Sequence, residues 1–426
     1  MRLLIDFRRM KPTYLIITSN VCNHGGAQLL VLRRARYLKK RGYNVLIVVA
    51  YDNGNFILRD HFSDFTIIHI PVLLQSFSSI AYSQKNKIIQ EVISAIASVT
   101  STIQYIESHT LILTVWGEHI AHVYNAKHIS YLLTEMDRYS SLRYYYDRCI
   151  IKNKLYNQEL YGVSSVSINK IFGQGIDEVL SKQYVNVPFD ESELIEVSEP
   201  SLNIQINKDV YVIGTISRLD KTYIEPLIRS AVSLAKQVPT QKFMLLIVGG
   251  SKTGNRQDYL VSTYTTASIN VPNFEIIWTG YMSSLGKDVF RLFNVFVGMG
   301  TASINAISQN CLTLNIQPPE DLCSGFFGVD TDNFAYSTSG RLYTIIDKLK
   351  EAYILDENTK NDYIVSGRKL YESDYNLESC MNKLDCSLMT ITECKTLPQC
   401  NYLMYESNRI FIKALKWVKH IINSLL

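Results

Sequence analysis

The length, composition and charge of the chain exclude several classes of protein. Its 426 residues are too many for one ordinary core and suit two domains, and 47% hydrophobic against 19% charged residues is typical of a folded chain. The net charge of +4 does not indicate nucleic-acid binding and is compatible with anionic substrates. No apolar run approaches the roughly 18–20 residues that span a bilayer, the first nine residues turn to charge too early for a secretory signal, and the eight cysteines form no compact disulfide framework. These features predict a soluble cytoplasmic protein.

The first half of the chain alternates strand-like and helix-like segments. Apolar runs at 14–18, 44–50, 65–70, 111–116, 128–134 and 160–164 predict strands, and helical spacing predicts helices at 29–41 and about 85–99. Such alternation implies a parallel sheet covered on both faces.

The second half repeats this pattern after a change of composition. An acidic, proline-punctuated stretch contains Pro188, Asp190, Glu191, Glu193, Glu196, Glu199 and Pro200. Strands then follow at 210–215, 243–250, 274–278, from Val295, and at 312–316, with a helix at 223–237. We predict an α/β protein of two Rossmann-like domains, 1–190 and 208–400, with a linker at 191–207 and a cleft between the domains.

The last segment, 401–426, has the pattern of an amphipathic helix. Its apolar residues are Phe411, Ala414, Leu415, Val418, Ile421, Ile422 and Leu425, and Arg409, Lys413, Lys416 and Lys419 lie mainly opposite. This pattern predicts a helix that packs back on the domains, and a helix on a membrane surface is the alternative.

Two glycine segments follow predicted strands and suit a ligand. Gly298 and Gly300 allow a tight turn, and Thr301 and Ser303 can cap the helix that follows, whose free N–H groups favour a phosphate. The other segment is Asn23-His24-Gly25-Gly26-Ala27-Gln28, which follows the first strand and should face the cleft. Because it lacks Gly-x-Gly-x-x-Gly spacing, it argues against a dinucleotide-binding oxidoreductase.

The order of the motifs resembles that of retaining GT-B glycosyltransferases, the glycosyl transferases of group 1. The matching segments are Gly25-Gly26-Ala27-Gln28, Gly214 to Lys221, Val248-Gly249-Gly250, Thr279-Gly280-Tyr281 and Gly298 to Ala306. The resemblance implies a donor site built from Gly25, Gly26, Arg218, Lys221, Gly249, Gly250, Tyr281, Gly300, Thr301, Ala302 and Asn305. In it Arg218 and Lys221 hold the diphosphate, and Asn305 contacts the ribose.

This chain departs from the family pattern at three donor-site positions. The usual lysine, five residues after the arginine, is Tyr223. The two glutamates that the family often has are replaced by Val297 and Asn305. An asparagine can still hydrogen-bond a hydroxyl group, whereas a valine cannot replace a carboxylate.

Catalytic candidates follow two predicted strands of the first half. The segments Trp116-Gly117-Glu118-His119 and Thr134-Glu135-Met136-Asp137 place Glu118, His119, Glu135 and Asp137 at strand ends that face the cleft. Their side chains could accept hydrogen bonds from sugar hydroxyls or orient an acceptor. A surface role is the alternative for each.

The resemblance implies a hexosyltransferase-type enzyme that moves a sugar from a nucleotide diphosphate-sugar to a glycan, lipid-linked or protein acceptor. Retention of configuration and a role in cell-surface polysaccharide or glycoconjugate biosynthesis are expected. No metal or other cofactor is expected, and Cys380, Cys386, Cys394 and Cys400 lack the spacing of a zinc site. One alternative is a catalytically weakened GT-B protein that serves as a regulatory subunit of a partner glycosyltransferase, and another is a sugar-nucleotide epimerase.

Overall fold

A computed structural model of the chain describes most of its residues. The described ranges are 11–22, 26–52, 59–134, 137–173, 176–194, 202, 204, 206–250, 254–282, 285–317, 322–334, 339–391, 397–399 and 401–425. They fall into two compact units, which divide at 187/188 and at 379/380, and the segment from Cys380 onward belongs to the first unit. The cleft expected between the two halves stays a prediction.

The first unit contains a six-stranded sheet in which all neighbouring strands are parallel. Its strands are β1 (Thr13–Thr18), β2 (Asn44–Val49), β3 (Thr66–His69), β4 (Tyr105–Ser108), β5 (Lys127–Tyr131) and β6 (Leu160–Tyr161), in the order β3-β2-β1-β4-β5-β6. Its helices are α1 (Gly26–Lys40), α2 (Tyr82–Ala97), α3 (Leu111–Tyr124), α4 (Tyr145–Tyr156), α5 (Ser167–Phe172) and α6 (Glu178–Ser181). The prediction of a parallel sheet with helical crossovers is confirmed for this half.

The predicted strand at 111–116 is wrong, because these residues form the start of α3. The side chain of Thr110 caps this helix by accepting a hydrogen bond from the N–H of Leu113 at 3.3 Å. Helix α3 is buried on nearly all sides over its first three turns, so its sequence lacks the amphipathic period that identifies a surface helix. The strand of this region is β4, which hydrophobicity does not reveal because it contains the buried polar residues Glu107 and Ser108.

The second unit contains a seven-stranded mixed sheet. Its strands are β7 (Val210–Ile216), β8 (Lys242–Val248), β9 (Phe274–Trp278), β10 (Val295–Gly298), β11 (Thr313–Gln317), β12 (Leu322–Phe326) and β13 (Tyr343–Thr344), in the order β13-β12-β11-β10-β7-β8-β9. Its helices are α7 (Ile224–Gln237), α8 (Gly254–Ile269), α9 (Thr301–Ser308), α10 (Ile345–Ile354) and α11 (Glu357–Leu370). Strands β12 and β13 add an antiparallel edge that the sequence analysis did not predict.

Both faces of this second sheet are buried, because successive side chains of a strand point to opposite faces. On β10, Val295 and Val297 belong to one core cluster and Phe296 belongs to the other. The stretch before β7 also packs on this unit: the N–H of Phe189 donates to the carbonyl of Tyr375 at 2.8 Å, and Arg368 pairs with Glu191 at 2.6 Å. The described residues 188–194 therefore belong to the folded unit, although the sequence analysis began the linker at 191.

Two further helices, α12 (Leu377–Thr390) and α13 (Tyr402–Leu425), end the chain. Asp385 of α12 pairs with the buried Arg34 of α1 at 2.7 Å, which explains why the described residues 380–391 belong to the first unit and not, as expected, to the second. The hydroxyl of Tyr405 in α13 donates to the carbonyls of Phe77 and Ile80 at 3.3 and 3.0 Å. The start of the last helix thus packs on the first unit, while the packing of the whole segment stays a prediction. Within the described residues, no helix has the length and apolar character needed to cross a membrane.

Candidate functional site

The carboxyl edge of the second sheet has a topological switch point at β7. This strand lies between β10 and β8, so the connections that leave β7 and β10 run to opposite sides of the sheet. In open parallel sheets, ligands bind at such points, beyond the carboxyl ends of the strands. The loop 217–221 and the start of α9 therefore flank the expected ligand position.

The loop after β7 exposes the side chain of Arg218 to solvent. The N–H groups of Ser217 and Leu219 donate to the carbonyls of Val248 and Gly250 at 2.9 and 3.2 Å, so the loop is fixed to the end of β8. The side chain of Arg218 is 51% exposed and lies 3.3 Å from a carboxylate oxygen of Asp220. The half-buried Lys221 follows in the same turn. Arg218 stands at the strand end where the resemblance places it, whereas Lys221 lies two residues before the usual position of the family's lysine. An incoming anion would compete with Asp220 for Arg218.

Gly249 is required by a close approach of backbone to backbone. Its φ is +138°, and a Cβ atom at this position would lie 2.0 Å from the carbonyl oxygen of Ser217. The N–H of Gly249 donates to the carbonyl of Gly280 at 3.1 Å, which joins the ends of β8 and β9. Gly249 thus positions the loop that contains Arg218. This is a structural reason for a glycine at position 249 that the sequence pattern does not reveal.

The end of β9 presents an aromatic ring to solvent. Tyr281 is 72% exposed, and its backbone lies next to Gly250, where an added Cβ would be 3.1 Å from the N atom of Tyr281. An exposed ring beside a strand end can stack on a planar group. The role of Tyr281 near a nucleotide base stays a prediction.

Helix α9 begins at the other side of the switch point. Its N-cap is Gly300, with φ 65° and ψ −139°, a backbone conformation that glycine alone adopts readily. The expectation that Thr301 and Ser303 cap this helix is wrong, because no side chain caps it and Thr301 is its first residue. Thr301 and Ala302 form a half-buried first turn. The first N–H groups of such a helix, together with its dipole, favour an anion.

Two polar side chains of α9 have atoms in need of a partner. The hydroxyl of Ser303, which is fully buried, and the Oδ1 atom of Asn305 make no hydrogen bond within the part of the chain that the structure describes. A buried polar atom without a partner costs about 1–3 kcal/mol, which a ligand can recover by supplying one. Asn305 was expected to contact a ligand, whereas Ser303 was expected only to cap the helix.

The structure explains two departures from the family pattern. Tyr223 is buried, with its hydroxyl 3.3 Å from Oγ1 of Thr215, and burial raises its pKa. Val297 is fully buried in the core cluster below the sheet. Neither side chain is available to a diphosphate or a ribose, so this chain lacks the contacts that the lysine and the first glutamate would supply.

The first unit has its own cavity at the carboxyl ends of β1, β2, β4 and β5, with a volume of about 370 Å³. Its lining is mixed. The polar part includes Ser19, Ser76, Thr110, Asp137, Ser141, Arg143 and Lys416, and the apolar part includes Ala50, Leu73, Leu74, Leu111, Ile112, Leu113 and Leu142. The misassigned strand at 111–116 concealed this cavity from the sequence analysis, although Thr110 before an apolar run is a helix-start signal.

Among the catalytic candidates that the structure describes, Asp137 alone lines this cavity. Its Oδ2 atom accepts a hydrogen bond from the N–H of Leu111, the first residue of α3, at 3.0 Å. Burial raises the pKa of Asp137, although the bond from Leu111 opposes this shift. The carboxylate is therefore fixed at a helix start, where it can accept a hydrogen bond from a ligand in the cavity.

Glu118 and His119 are not at a strand end, because both lie within α3. The Glu118 carboxylate accepts hydrogen bonds from Lys154 and His128 at 3.0 and 2.8 Å. Burial opposes its ionisation, but Lys154 and His128 outweigh burial and hold its pKa well below the usual range. This buried ion pair stabilises the packing of α3 on its neighbours.

His119 stacks on Phe77, with ring centroids 3.7 Å apart. Burial, aided by the nearby Lys85, lowers the pKa of His119 to about 3. Its ring lines a second cavity of about 570 Å³, between α2 and α3, that also contains Lys85. The prediction that His119 lies at the end of a strand is therefore wrong.

The remaining candidates of the first unit are Gly25, Gly26 and Glu135. Gly26 is the exposed first residue of α1, and nearby Gln28 donates to Oδ1 of Asn20 at 3.0 Å. Gly25 and Glu135 lie outside the described residues, so their roles stay predictions. Among the residues that the structure describes, no group of three or more His, Cys, Asp and Glu side chains could hold a metal ion, and Cys394 and Cys400 are outside that part.

Comparison with solved structures identifies the fold as that of GT-B glycosyltransferases. No known family pattern matches the chain, and no curated protein matches it in sequence. The structure is similar to Anabaena Alr3699/HepE, solved in complex with UDP (TM-score 0.59, 14% identity, 89% of this chain and 100% of that chain). It is also similar to a glycosyltransferase from Rickettsia africae (TM-score 0.58, 14% identity, 90% and 100%) and to sucrose-phosphate synthase from Thermosynechococcus elongatus (TM-score 0.55, 13% identity, 89% and 100%). At these identities the similarity shows the fold alone.

Proposed function

We propose that the protein is a glycosyltransferase that uses a nucleotide diphosphate-sugar as donor. The observation on which this proposal rests is the switch point of the second sheet, where the exposed Arg218 and the uncapped start of α9 flank one position. The diphosphate gains negative charge as the glycosidic bond breaks, and fixed cations and N–H groups stabilise that charge. Each charged hydrogen bond contributes about 1.5–3 kcal/mol.

The proposed donor site has a defined division of roles. Arg218, with Lys221, binds the diphosphate together with the first turn of α9 at Thr301, and Asn305 binds a ribose hydroxyl. Tyr281 stacks on the base. We propose that these groups neutralise the diphosphate without a resident metal. Since Alr3699/HepE was solved with UDP, uridine is the first base to test.

The proposed acceptor site is the cavity of the first unit. A glycan, lipid-linked or protein acceptor would place a hydroxyl group near Asp137, whose carboxylate accepts that hydrogen bond and orients the attacking oxygen. We propose retention of configuration, in which the leaving phosphate takes the proton of this hydroxyl. Cell-surface polysaccharide or glycoconjugate synthesis, in the cytoplasm at the inner face of the membrane, is the setting that fits such substrates.

Donor turnover tests this function. Purified protein is incubated with UDP-, GDP- and dTDP-sugars, with and without a lipid or glycan extract from the source cells, and release of nucleoside diphosphate is measured. We expect release from one donor class, increased by the extract. Absence of both binding and release for every donor would contradict the proposal.

A second candidate function is a regulatory subunit of a partner glycosyltransferase. The buried Tyr223 and Val297, which replace a lysine and a glutamate, favour it. In that case the protein binds a nucleoside diphosphate without turnover and increases turnover by the partner. An epimerase would instead convert the donor without any acceptor.

A further inference from the structure

Helix α13 changes its surroundings at Arg409. Before this residue the helix is fixed to the first unit: Tyr405 is buried, Glu406 accepts from the N–H of Tyr82 at 2.7 Å, and Asn408 accepts from the N–H of Tyr145 at 3.1 Å. After it, the described side chains are mostly exposed. The second half of α13 therefore presents a face that the first unit does not cover.

This face is apolar. The side chains of Ile410, Phe411, Leu415, Trp417 and Val418 are between 46 and 67% exposed. Helical spacing puts positions 411, 415 and 418 on one line, with 410 and 417 beside it. A contiguous exposed patch of this kind marks an interaction site, whereas scattered apolar residues do not.

The polar side of the same helix faces the protein. Lys416, about 140° from Phe411 around the helix axis by the 3.6-residue period, lines the cavity of the first unit together with Arg143. A helix that merely packed on a soluble domain would show the reverse, with its apolar stripe toward the domain. The apolar face of α13 is thus turned away from the first unit.

Charge identifies what covers the outer side. Lys419 lies about 80° from Phe411 around the helix axis by the 3.6-residue period, at the border of the apolar face, and the sequence adds further apolar residues at 421, 422 and 425. The exposed Lys413 lies next to Trp417 on the polar side of the helix, about 160° from Phe411. Lysines at the border of an apolar face can extend toward anionic headgroups, while tryptophan favours the boundary between headgroups and acyl chains.

We propose that the outer face of α13 binds an anionic lipid bilayer, with the helix lying in the plane of the headgroups. The cavity lined by Lys416 then opens near the bilayer surface. Its leucine-rich lining, and the positive balance of Arg143 and Lys416 over the one carboxylate of Asp137, suit an anionic amphiphile. The acceptor is accordingly a lipid with a phosphate-bearing headgroup, a step that rests on the proposed function, whereas bilayer binding does not.

Flotation with vesicles tests the bilayer contact in the absence of donor and acceptor. The full-length protein should float with vesicles of phosphatidylcholine and phosphatidylglycerol, and much less with phosphatidylcholine alone. Phe411→Ser should weaken partitioning about tenfold or more, whereas Ile354→Ser, at a 75% exposed position of α10, should not change it. Lys419→Gln should weaken it about fivefold, and the exposed Lys236 supplies the control Lys236→Gln.

Tryptophan fluorescence gives a second readout that does not depend on recovery. Trp116 is buried and Trp278 is half-buried, so a blue shift on vesicle addition should come from Trp417 and should vanish in Trp417→Phe, which still floats.

Equal flotation with neutral vesicles, or unchanged flotation of Phe411→Ser, would overturn the proposal. So would a lipid-free dimer in sedimentation velocity that Phe411→Ser converts to monomer, because a second copy would then cover the face. A bilayer-binding protein without donor turnover would contradict only the acceptor step.

Discussion

The carbonyl oxygen of Ser217 lies so close to Gly249 that a Cβ atom there would be 2.0 Å away. This contact joins the loop after β7 to the end of β8 and determines where Arg218 stands. The site thus depends on two strand ends that are more than thirty residues apart in sequence.

Replacement of Gly249 by alanine should displace the Arg218 loop. We expect weaker binding of nucleoside diphosphate and a loss of stability greater than the roughly 1–2 kcal/mol that a left-handed alanine costs by itself. Gly340→Ala is the control, because Gly340 also has a positive φ but none of the described residues comes within 4 Å of the added Cβ. Titration calorimetry and denaturant unfolding measure the two effects. Equal behaviour of both variants would show that the contact is unimportant.

The carboxylate of Asp220 lies 3.3 Å from Arg218 and would compete with the diphosphate of the donor for this side chain. Asp220 should therefore reduce the affinity of the protein for its donor. Both side chains are about half exposed, so solvent screens the pair and its contribution is small. Asp220→Asn should therefore tighten nucleoside diphosphate binding by about two- to fivefold, with less gain at high salt. Weaker binding by this variant would mean that Asp220 itself contacts the ligand.

Asp137 should orient the acceptor and leave donor binding unchanged. Asp137→Asn keeps an oxygen that can accept from the N–H of Leu111, so the start of α3 should be preserved. We expect kcat to fall about 10- to 100-fold with an unaltered donor dissociation constant. The control is Asp177→Asn, because Asp177 caps α6 in the same unit through a 2.7 Å bond from Val179. A normal kcat in Asp137→Asn would leave Asp137 with a structural role alone.

Buried histidines should make the first unit sensitive to acid. The folded-state pKa is lowered to about 3 for His119 and to about 4 for His128, mainly by burial. As the pH decreases, these histidines take up protons in the unfolded chain near pH 6.5, before they do so in the folded protein. Their contribution to the free energy of unfolding is therefore complete above pH 6.5 and is lost as the pH decreases toward the folded-state pKa values. The slope should be about 1.4 kcal/mol per pH unit for each histidine.

His119→Phe should remove the contribution of His119 to this slope, since a phenyl ring can occupy the stack on Phe77. His122→Gln is the control on the same helix, where His122 is exposed. Denaturant unfolding between pH 4 and pH 7 measures both variants. An unchanged slope in His119→Phe would contradict the assignment of His119 as a buried neutral group.

Most of the fold could be predicted because most of its strands are buried on both faces. Continuous apolar runs such as 243–250 and 44–50 identify β8 and β2, and their alternation with helices predicts the parallel sheets. The failures have physical causes. Helix α3 is buried on all sides, so its sequence shows no helical period of hydrophobic residues. Strand β4 was missed because it contains the buried polar residues Glu107 and Ser108. The antiparallel strand β12 was missed because it lies beyond the last strand that was predicted for the sheet.

The order of the motifs predicted where two candidate residues lie in the fold, whereas their roles at the site stay predictions. Gly300 at the start of α9 and Arg218 after β7 stand where the motif order placed them. Glu118 and His119 were misplaced because their roles depend on partners distant in sequence, namely Lys154, His128 and Phe77. Spacing along the chain cannot reveal such partners, and it also gave no sign that the hydroxyl of Ser303 is buried without one.

Calorimetric titration of Arg218→Ala with UDP, GDP and dTDP tests the central claim most directly. Arg291→Ala is the matched control, because Arg291 is also exposed in the second unit but precedes β10, at the opposite edge of the sheet. If Arg218 holds the diphosphate, the wild type and Arg291→Ala should bind one of these nucleotides equally well. Arg218→Ala should bind it at least about tenfold more weakly, as the loss of a charged hydrogen bond implies. Unchanged affinity in Arg218→Ala, or no binding of any nucleotide by the wild type, would contradict the account.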